Sequence, residues 1–303
     1  MQWRYLFLFS VLFIPRMASA ENSDFEDALL NSRVNCAGIY SEISDIKKMA
    51  GINTAVTGVG TVAGAGALYA GIKKSQTDKL AEQLESQIKN LETMSDEEFL
   101  AFLGGLAELK NAQASEKAAQ LADATRESKN LGNWRTGLMA GNTATNIAGA
   151  IIAAKNKVNG DVRKMIENCR ESVDALDKMI PKATFEGFDV KKAKEIVNTC
   201  GKYKYLDISK INNRADVAKW AAIAGGTFGA AGTVTSAVAN TNNTRNDNSA
   251  SGKKVENNLN TASNILAGAA TAGSGVATVF NAIQISAANK AADIAKNCEG
   301  VLE

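Results

Sequence analysis

The sequence predicts an all-α protein built as two duplicated, long antiparallel helical hairpins with Gly/Ala-rich packing, each closed by a disulfide. Three observations predict it. Only Pro15 and Pro181 are proline in 303 residues, so almost nothing interrupts long helices. Uncharged stretches of Gly, Ala, Ser and Thr recur with a four-residue spacing, while β-branched runs of period two are missing. The four cysteines, Cys36, Cys169, Cys200 and Cys298, fall at matching places in two similar halves.

In chain order, residues 1–20 read as a secretory signal: Arg4 in a short positive region, Tyr5 to Ile14 as the apolar core, and Ala18-Ser19-Ala20 as a cleavage site. The apolar run is about half of the ~20 residues a membrane span needs, which argues against an anchor. The chain carries 34 basic and 32 acidic residues; removing the signal takes away Arg4 and Arg16 and no acid, leaving the remainder balanced. A balanced surface argues against a nucleic-acid groove or a polybasic membrane patch. Export makes the cysteines candidates for disulfides, and the absence of histidine removes His-based catalysis and the commonest transition-metal sites.

The duplication organises the rest. Gly60-Thr-Val-Ala-Gly-Ala-Gly-Ala-Leu68 matches Gly226-Thr-Phe-Gly-Ala-Ala-Gly-Thr-Val234 by residue class, Leu138 to Thr145 matches Ile265 to Ala272, and Ile43-Ser-Asp-Ile46 matches Ile208-Ser-Lys-Ile211. Thr61 follows Cys36 by 25 residues and Thr227 follows Cys200 by 27; Gly141 precedes Cys169 by 28 and Gly268 precedes Cys298 by 30. Gly/Ala-rich helices all share small residues, but cysteines in register at both ends are harder to obtain by chance. The expected organisation is therefore a first hairpin over 21–169, a helical connector over 170–199 and a second hairpin over 200–303. In a hairpin with arms of similar length the two ends meet, so Cys36 should pair with Cys169 and Cys200 with Cys298. Each bond would be worth up to ~4–5 kcal/mol in the chain-entropy account.

Four stretches lack charge: Ala50 to Ile72, Gly137 to Ala154, Trp220 to Thr244 and Asn257 to Asn289. Gly60 and Gly64 lie in the first, Gly137, Gly141 and Gly149 in the second, Gly225 and Gly229 in the third, and Gly268 and Gly273 in the fourth. Residues spaced by four share a helix face. Each glycine costs up to ~1 kcal/mol in a helix interior relative to alanine, so repeated glycines on one face imply close helix packing. The pattern resembles the glycine zipper of membrane helices, channels and membrane-inserting secreted proteins. That resemblance implies self-association through Gly/Ala faces and contact with a membrane. Against it stand many Asn and Thr within the stretches, few large apolar residues and a mean hydropathy of −0.13. Weak hydrophobicity would let the segments cross an inner membrane without arrest and insert later by assembly, Asn and Thr facing partner helices. A soluble bundle with a tight Ala/Gly core is the alternative.

The connecting regions are polar. Residues 73–133 form an extended, coiled-coil-like tip: Leu80, Leu84, Ile88 and Leu91 give one stripe, Ser95-Asp-Glu-Glu98 a capping box, and Phe99, Leu103, Leu106 and Leu109 a second stripe. Residues 240–254 read as a loop; as a calcium loop they fail, because Ala250 stands where the glycine belongs. In the connector a helix should break at Pro181 and resume after Phe188, with Phe185 and Phe188 packed at the junction.

No enzyme is indicated. Gly58-Val-Gly60, Gly64-Ala-Gly66 and Gly273-Ser-Gly275 leave G-x-G-x-x-G incomplete and lie in helix patterns, so no nucleotide cofactor is expected. Asp96, Glu97 and Glu98 sit in a helix first turn, where capping explains them, and no nucleophile is set beside a base. The sequence thus favours a non-enzymatic exported envelope protein, in the periplasm, outer envelope or extracellular space, whose hairpins associate with membrane and self-assemble, with pore formation as the sharper form. A soluble periplasmic or extracellular scaffold, adhesin-like in kind, is the alternative.

Overall fold

The computed structural model describes residues 23–93, 107–241 and 249–303, and every regular element among them is helical. They form α1 (Ser23–Cys36), α2 (Ile39–Thr93), α3 (Ala107–Lys155), α4 (Gly160–Phe185), α5 (Lys191–Cys200), α6 (Ile208–Ala239) and α7 (Ala250–Leu302), with a 3-10 turn over Gly201–Tyr205. The expected signal over 1–20, the capping box Ser95–Glu98 and the apolar Phe99, Leu103 and Leu106 lie outside the described residues.

The chain makes two compact units. The first comprises the described part of Met1–Ile39 with Lys164–Tyr205 and Ile294–Glu303. Its core is ordinary: Ile166, Val173, Leu176, Ile196 and Tyr203 are buried. Both disulfides lie here, Cys36–Cys169 and Cys200–Cys298, in the pairing the duplication predicted. Gly38, at φ +81°, turns the chain between α1 and α2, a backbone region that favours glycine.

Pro181 does not end α4 as expected. The helix runs through it to Phe185, because a missing N–H removes one bond while the turns on either side still close. The stop comes one turn later, where Gly187 takes φ +87° and Phe188 N donates to Ala183 O at 3.0 Å, a Schellman closure. Phe188 then packs on Phe25, ring centroids 5.6 Å apart, whereas Phe185 points to solvent at 94% exposure.

The second unit, Tyr40–Arg163 with Leu206–Asp293, is a bundle of four long helix segments from α2, α3, α6 and α7. Facing pairs fix the directions. Gln87 meets Lys117, Asp78 meets Ser128, and Gly60 faces Thr145, so α2 and α3 run antiparallel over their length. By the same test Thr143 against Gly229 and Arg135 against Ser236 set α3 antiparallel to α6, Ser263 against Gly232 sets α6 against α7, and Asn53 against Asn281 closes the ring between α2 and α7. At 55 residues α2 is about 80 Å long. Beyond the uncharged stretches, α2 runs on to Thr93 and α3 begins at Ala107, with Leu84 and Ala124 buried.

Helix ends are set by polar side chains. Asn159 accepts from Val162 N at 2.8 Å to start α4, and Asp207 accepts from Lys210 N at 3.2 Å to start α6. Asn212 holds the turn after α3 from both sides, accepting from Val158 N at 2.8 Å and donating to Val158 O at 3.0 Å. The loop expected over 240–254 is shorter than predicted, since α7 already begins at Ala250.

Candidate functional site

Over the uncharged stretches the bundle's interior combines alanines and an apolar cluster of Ala67, Met139 and Ala267 with a seam of buried amides and hydroxyls. Asn53 donates to Asn281 at 2.9 Å. Asn142 reaches across the bundle from α3, donating to Gly60 O on α2 and to Ser274 on α7, the latter at 2.9 Å. Asn146 follows one turn on, donating to Asn142 Oδ1 at 2.9 Å and to Ser274 at 2.7 Å. Toward one end Gln284 donates to Asn156 O at 2.7 Å. At the other end lies Arg135, fully buried, whose guanidinium donates to Ser236 at 2.9 Å, Asn260 at 2.8 Å and Asn264 at 3.3 Å, each oxygen neutral. One layer further out, buried Lys74 bonds Asp78 at 2.6 Å and Glu256 at 3.2 Å. Burying such groups is tolerable only when they are hydrogen-bonded, and this seam largely satisfies itself.

The glycines make room for it. A Cβ on Gly64 would stand 2.8 Å from Asn142 Nδ2, on Gly71 it would overlap Asn264 Oδ1, and on Gly132 it would overlap Asn240 Oδ1. At Gly149, Gly225 and Gly229 the positions a Cβ would take lie 3.2, 3.1 and 3.1 Å from the Oδ1 of Asn53, Asn146 and Asn142. Asn53, Asn146 and Asn240 Oδ1 are buried without an N–H or O–H donor. A glycine C–H takes the direction of the missing Cβ, so the Gly132 C–H points at the Asn240 oxygen, a weak donor worth ~0.5–1 kcal/mol. Backbone meets backbone at Gly273, where a Cβ would stand 2.7 Å from Gly225 Cα and 3.0 Å from Ala221 O.

The expected packing glycines therefore divide. Gly60, Gly64, Gly149, Gly225, Gly229 and Gly273 each sit against a neighbouring helix, whereas Gly137, Gly141 and Gly268 face open space, with nothing within 4 Å of a Cβ. Their face of the helix is turned away from the partners in this chain, so the four-residue rule marks small faces without saying which one is covered. Gly132 and Gly232, outside the expected set, make close approaches to Asn240 and Met139. The signal that finds them is an Asn or Met at the facing register, not the glycine spacing. The buried Arg135 and Lys74 were not anticipated either, because both lie just beyond the uncharged stretches.

The exterior is the complement of the seam. Val59, Val62 and Tyr69 on α2, Ile147 and Ile151 on α3, Ile223, Phe228 and Val234 on α6, and Ile265, Val276 and Val279 on α7 are all exposed. Two tryptophans bound this apolar collar, Trp134 at 67% exposure and Trp220 at 63%. Gly132 lies against Asn240 and Arg135 against Ser236, which puts Trp134 level with residue 238 of α6. Trp220 is eighteen residues earlier on α6, about 27 Å along the helix axis.

In the first unit the cysteine sulfurs cluster: Cys36, Cys169 and Cys298 Sγ lie within 4.8 Å of one another, all buried. Each is committed to a disulfide, and among the described residues no cysteine is free; thiolate, not disulfide sulfur, is the metal ligand. The nearby Tyr203 hydroxyl is buried with no hydrogen-bond partner, and its pKa is pushed up by that burial and by Glu299. Asp216 is held below the usual carboxylate range by its bond to Lys157, with Lys219 adding to the effect, and Asp207 likewise by Ser209 and Lys210.

These features describe a four-helix bundle with alanines, amides and hydroxyls inside and many aliphatic side chains outside. Among the described residues three helical runs are long and apolar enough to cross a membrane by length and composition: Asp24–Thr93, which includes α2, Ile208–Ala239 and Ser251–Leu302. No family model matches the chain, and neither a curated protein nor a solved structure gives a significant match.

Proposed function

We propose that this is a non-enzymatic envelope protein whose paired hairpins, packed in the manner of a glycine zipper, associate with a membrane through the apolar collar and self-assemble there. The observation that carries the proposal is the contrast, between the two tryptophans, of buried amides and hydroxyls inside with exposed Val, Ile and Phe outside. In water the arrangement is unfavourable twice over, exposing Val, Ile and Phe while confining Asn, whereas in lipid the same arrangement places each group in its preferred surroundings. The ~27 Å between the tryptophan levels is close to the ~30 Å of a bilayer's hydrocarbon core, and Trp at both boundaries is the usual anchor. Export through the first twenty residues, with one disulfide securing the base of each hairpin, is part of the same proposal. The open face carrying Gly137 and Gly141 next to Trp134 supplies a surface for a second copy.

Carbonate extraction of native membranes and flotation with phosphatidylcholine vesicles test the association: the chain should stay with the lipid in both. Complete release into the supernatant would reject integration. Release of entrapped dye from the same vesicles tests the narrower idea of a pore, which requires assembly.

One observation favours a soluble scaffold instead: α3 is not among the three helices apolar enough to span. That reading expects a monodisperse, detergent-independent protein.

A further inference from the structure

Between α3 and α6, on the outside of the bundle, runs a groove of about 610 Å³. Its walls are Ile147, Ile151 and Ala154 on one side and Ile223 and Ala230 on the other, with Gly226 between them. The atoms nearest a Cβ at Gly226 would be Asn146 Cβ at 3.4 Å and Ile147 Cγ1 and N at 3.7 and 3.8 Å, so α6 presents glycine to the α3 wall here. The lining holds a single charge, Lys219, at one end. Lys219 Nζ stands 4.8 Å over the Trp220 ring and 3.7 Å from Asp216, which already bonds Lys157. Two lysines, Lys157 and Lys219, thus share one carboxylate at that end, and the mouth keeps a net positive charge.

We propose that this groove binds one phospholipid of net negative headgroup, an acyl chain lying along Ile223 to Ala230 and the phosphate seated by Lys219 beside Trp220. The inference rests on the membrane reading above. Charge complementarity selects the occupant: Lys157 and Lys219 share the single Asp216 carboxylate, which leaves one positive charge over at the mouth, and an anionic headgroup joined to a hydrocarbon chain satisfies both ends. Length agrees. From Lys219 to Ala230 is eleven residues, about 16 Å along the axis, which is half of a ~30 Å hydrocarbon core and so the depth of one leaflet. Trp220 at the mouth then sits at headgroup level, where tryptophan concentrates.

Native mass spectrometry of the full chain in nonionic micelles, titrated with phosphatidylglycerol or with phosphatidylcholine of the same acyl chains, is the direct test. One retained phosphatidylglycerol, and weaker retention of phosphatidylcholine, is expected. Lys219→Gln should weaken phosphatidylglycerol binding about five-fold, the worth of one lysine near an anionic headgroup. Ala150→Phe, which fills the groove and leaves Lys219 in place, should abolish it. Far-UV circular dichroism of both variants checks that they remain folded. Equal retention of both lipids, indifference to both substitutions, or a dimer that Ala150→Phe converts to monomer would each overturn the site. Flotation with phosphatidylcholine vesicles is read separately: a wild-type chain that floats but shows no headgroup preference rejects this groove alone, and one that does not float rejects the membrane reading beneath it.

Discussion

Gly273→Ala and Gly137→Ala are the same chemical change in two helices of one bundle, and the structure assigns them opposite signs. At Gly137 a Cβ would meet nothing within 4 Å. The methyl then adds only helix propensity and a smaller loss of backbone entropy, a gain of about 0.5–1 kcal/mol. At Gly273 the methyl would stand 2.7 Å from Gly225 Cα and N and 3.0 Å from Ala221 O. These are backbone atoms, with no flexible end to swing aside, so α6 and α7 must move apart and lose dispersion contacts along their crossing. Overpacking of this kind costs about 1–3 kcal/mol, and a backbone obstacle belongs at the upper end. Subtracting the ~1 kcal/mol of propensity leaves Gly273→Ala about 2 kcal/mol less stable than wild type. The two variants should therefore differ by about 3 kcal/mol, or roughly 6–12 °C in melting temperature for a domain of this size. Thermal melts followed at 222 nm, in the detergent or buffer that keeps the chain monomeric, read the difference. Shifts of equal sign and size would refute the idea that α6 and α7 touch backbone to backbone at this point.

Three further outcomes follow from other parts of the fold. Tyr203→Phe removes a buried hydroxyl that has no partner, and it should raise stability by about 1–3 kcal/mol in denaturant titration; a loss would mean that the hydroxyl is bonded in solution. Cys200→Ala frees the Cys298 thiol within 4.8 Å of the Cys36 and Cys169 sulfurs. At mildly alkaline pH its thiolate should attack that bond, forming a Cys298 bridge to one sulfur and releasing the other as thiol. Non-reducing peptide mapping that found only Cys36–Cys169 would count against the clustering. The Asp216 carboxyl titrates below its ordinary 3.8 because Lys157 and Lys219 favour its charged form. Its contribution is thus complete above the ordinary value and is lost as pH falls through the lower folded one. Asp216→Asn should flatten part of the fall in melting temperature on acidification, and an unchanged pH profile would remove Asp216 from the account.

The long helices and the disulfide pairing were legible in the sequence because each rests on a local or symmetric signal. One proline in the described chain and four-residue spacing describe helices directly, and cysteines in register at both ends of a repeat select one pairing of the three that four cysteines allow. Pro181 misled because a proline near a helix end removes one hydrogen bond without preventing the next turn, and the actual stop is the left-handed Gly187. The glycines were only half legible. Gly225 and Gly137 look alike in sequence, yet the first receives Asn146 while the second faces outward. The difference depends on which helix stands opposite, and that is a property of four segments together. Arg135 and Lys74 were missed for the same reason: their acceptors come from α6 and α7 for the one, and from α2 itself and α7 for the other.

What the sequence showed as a weakness, too many Asn and Thr for confident membrane spans, takes on a physical role in the bundle. Asn142 is the clearest case. One carboxamide from α3 meets the Gly60 carbonyl of α2 and the Ser274 hydroxyl of α7, while its oxygen accepts from Asn146 and lies against Gly229 of α6. A single side chain thereby ties all four helices, and it can do so only because glycine leaves the space. In a lone helix the same amide has no partner in hydrocarbon and lowers the tendency to stop in a membrane. In the assembled bundle it is satisfied, and a substitution such as Asn142→Leu would crowd Gly64 and Gly229 while removing the bonds to Gly60 O and Ser274. Under the proposed function, the residues that let each segment pass through one membrane as a chain are the ones that hold the four together once they have met. The apolar side chains, displaced from the interior by these amides, are left for the lipid.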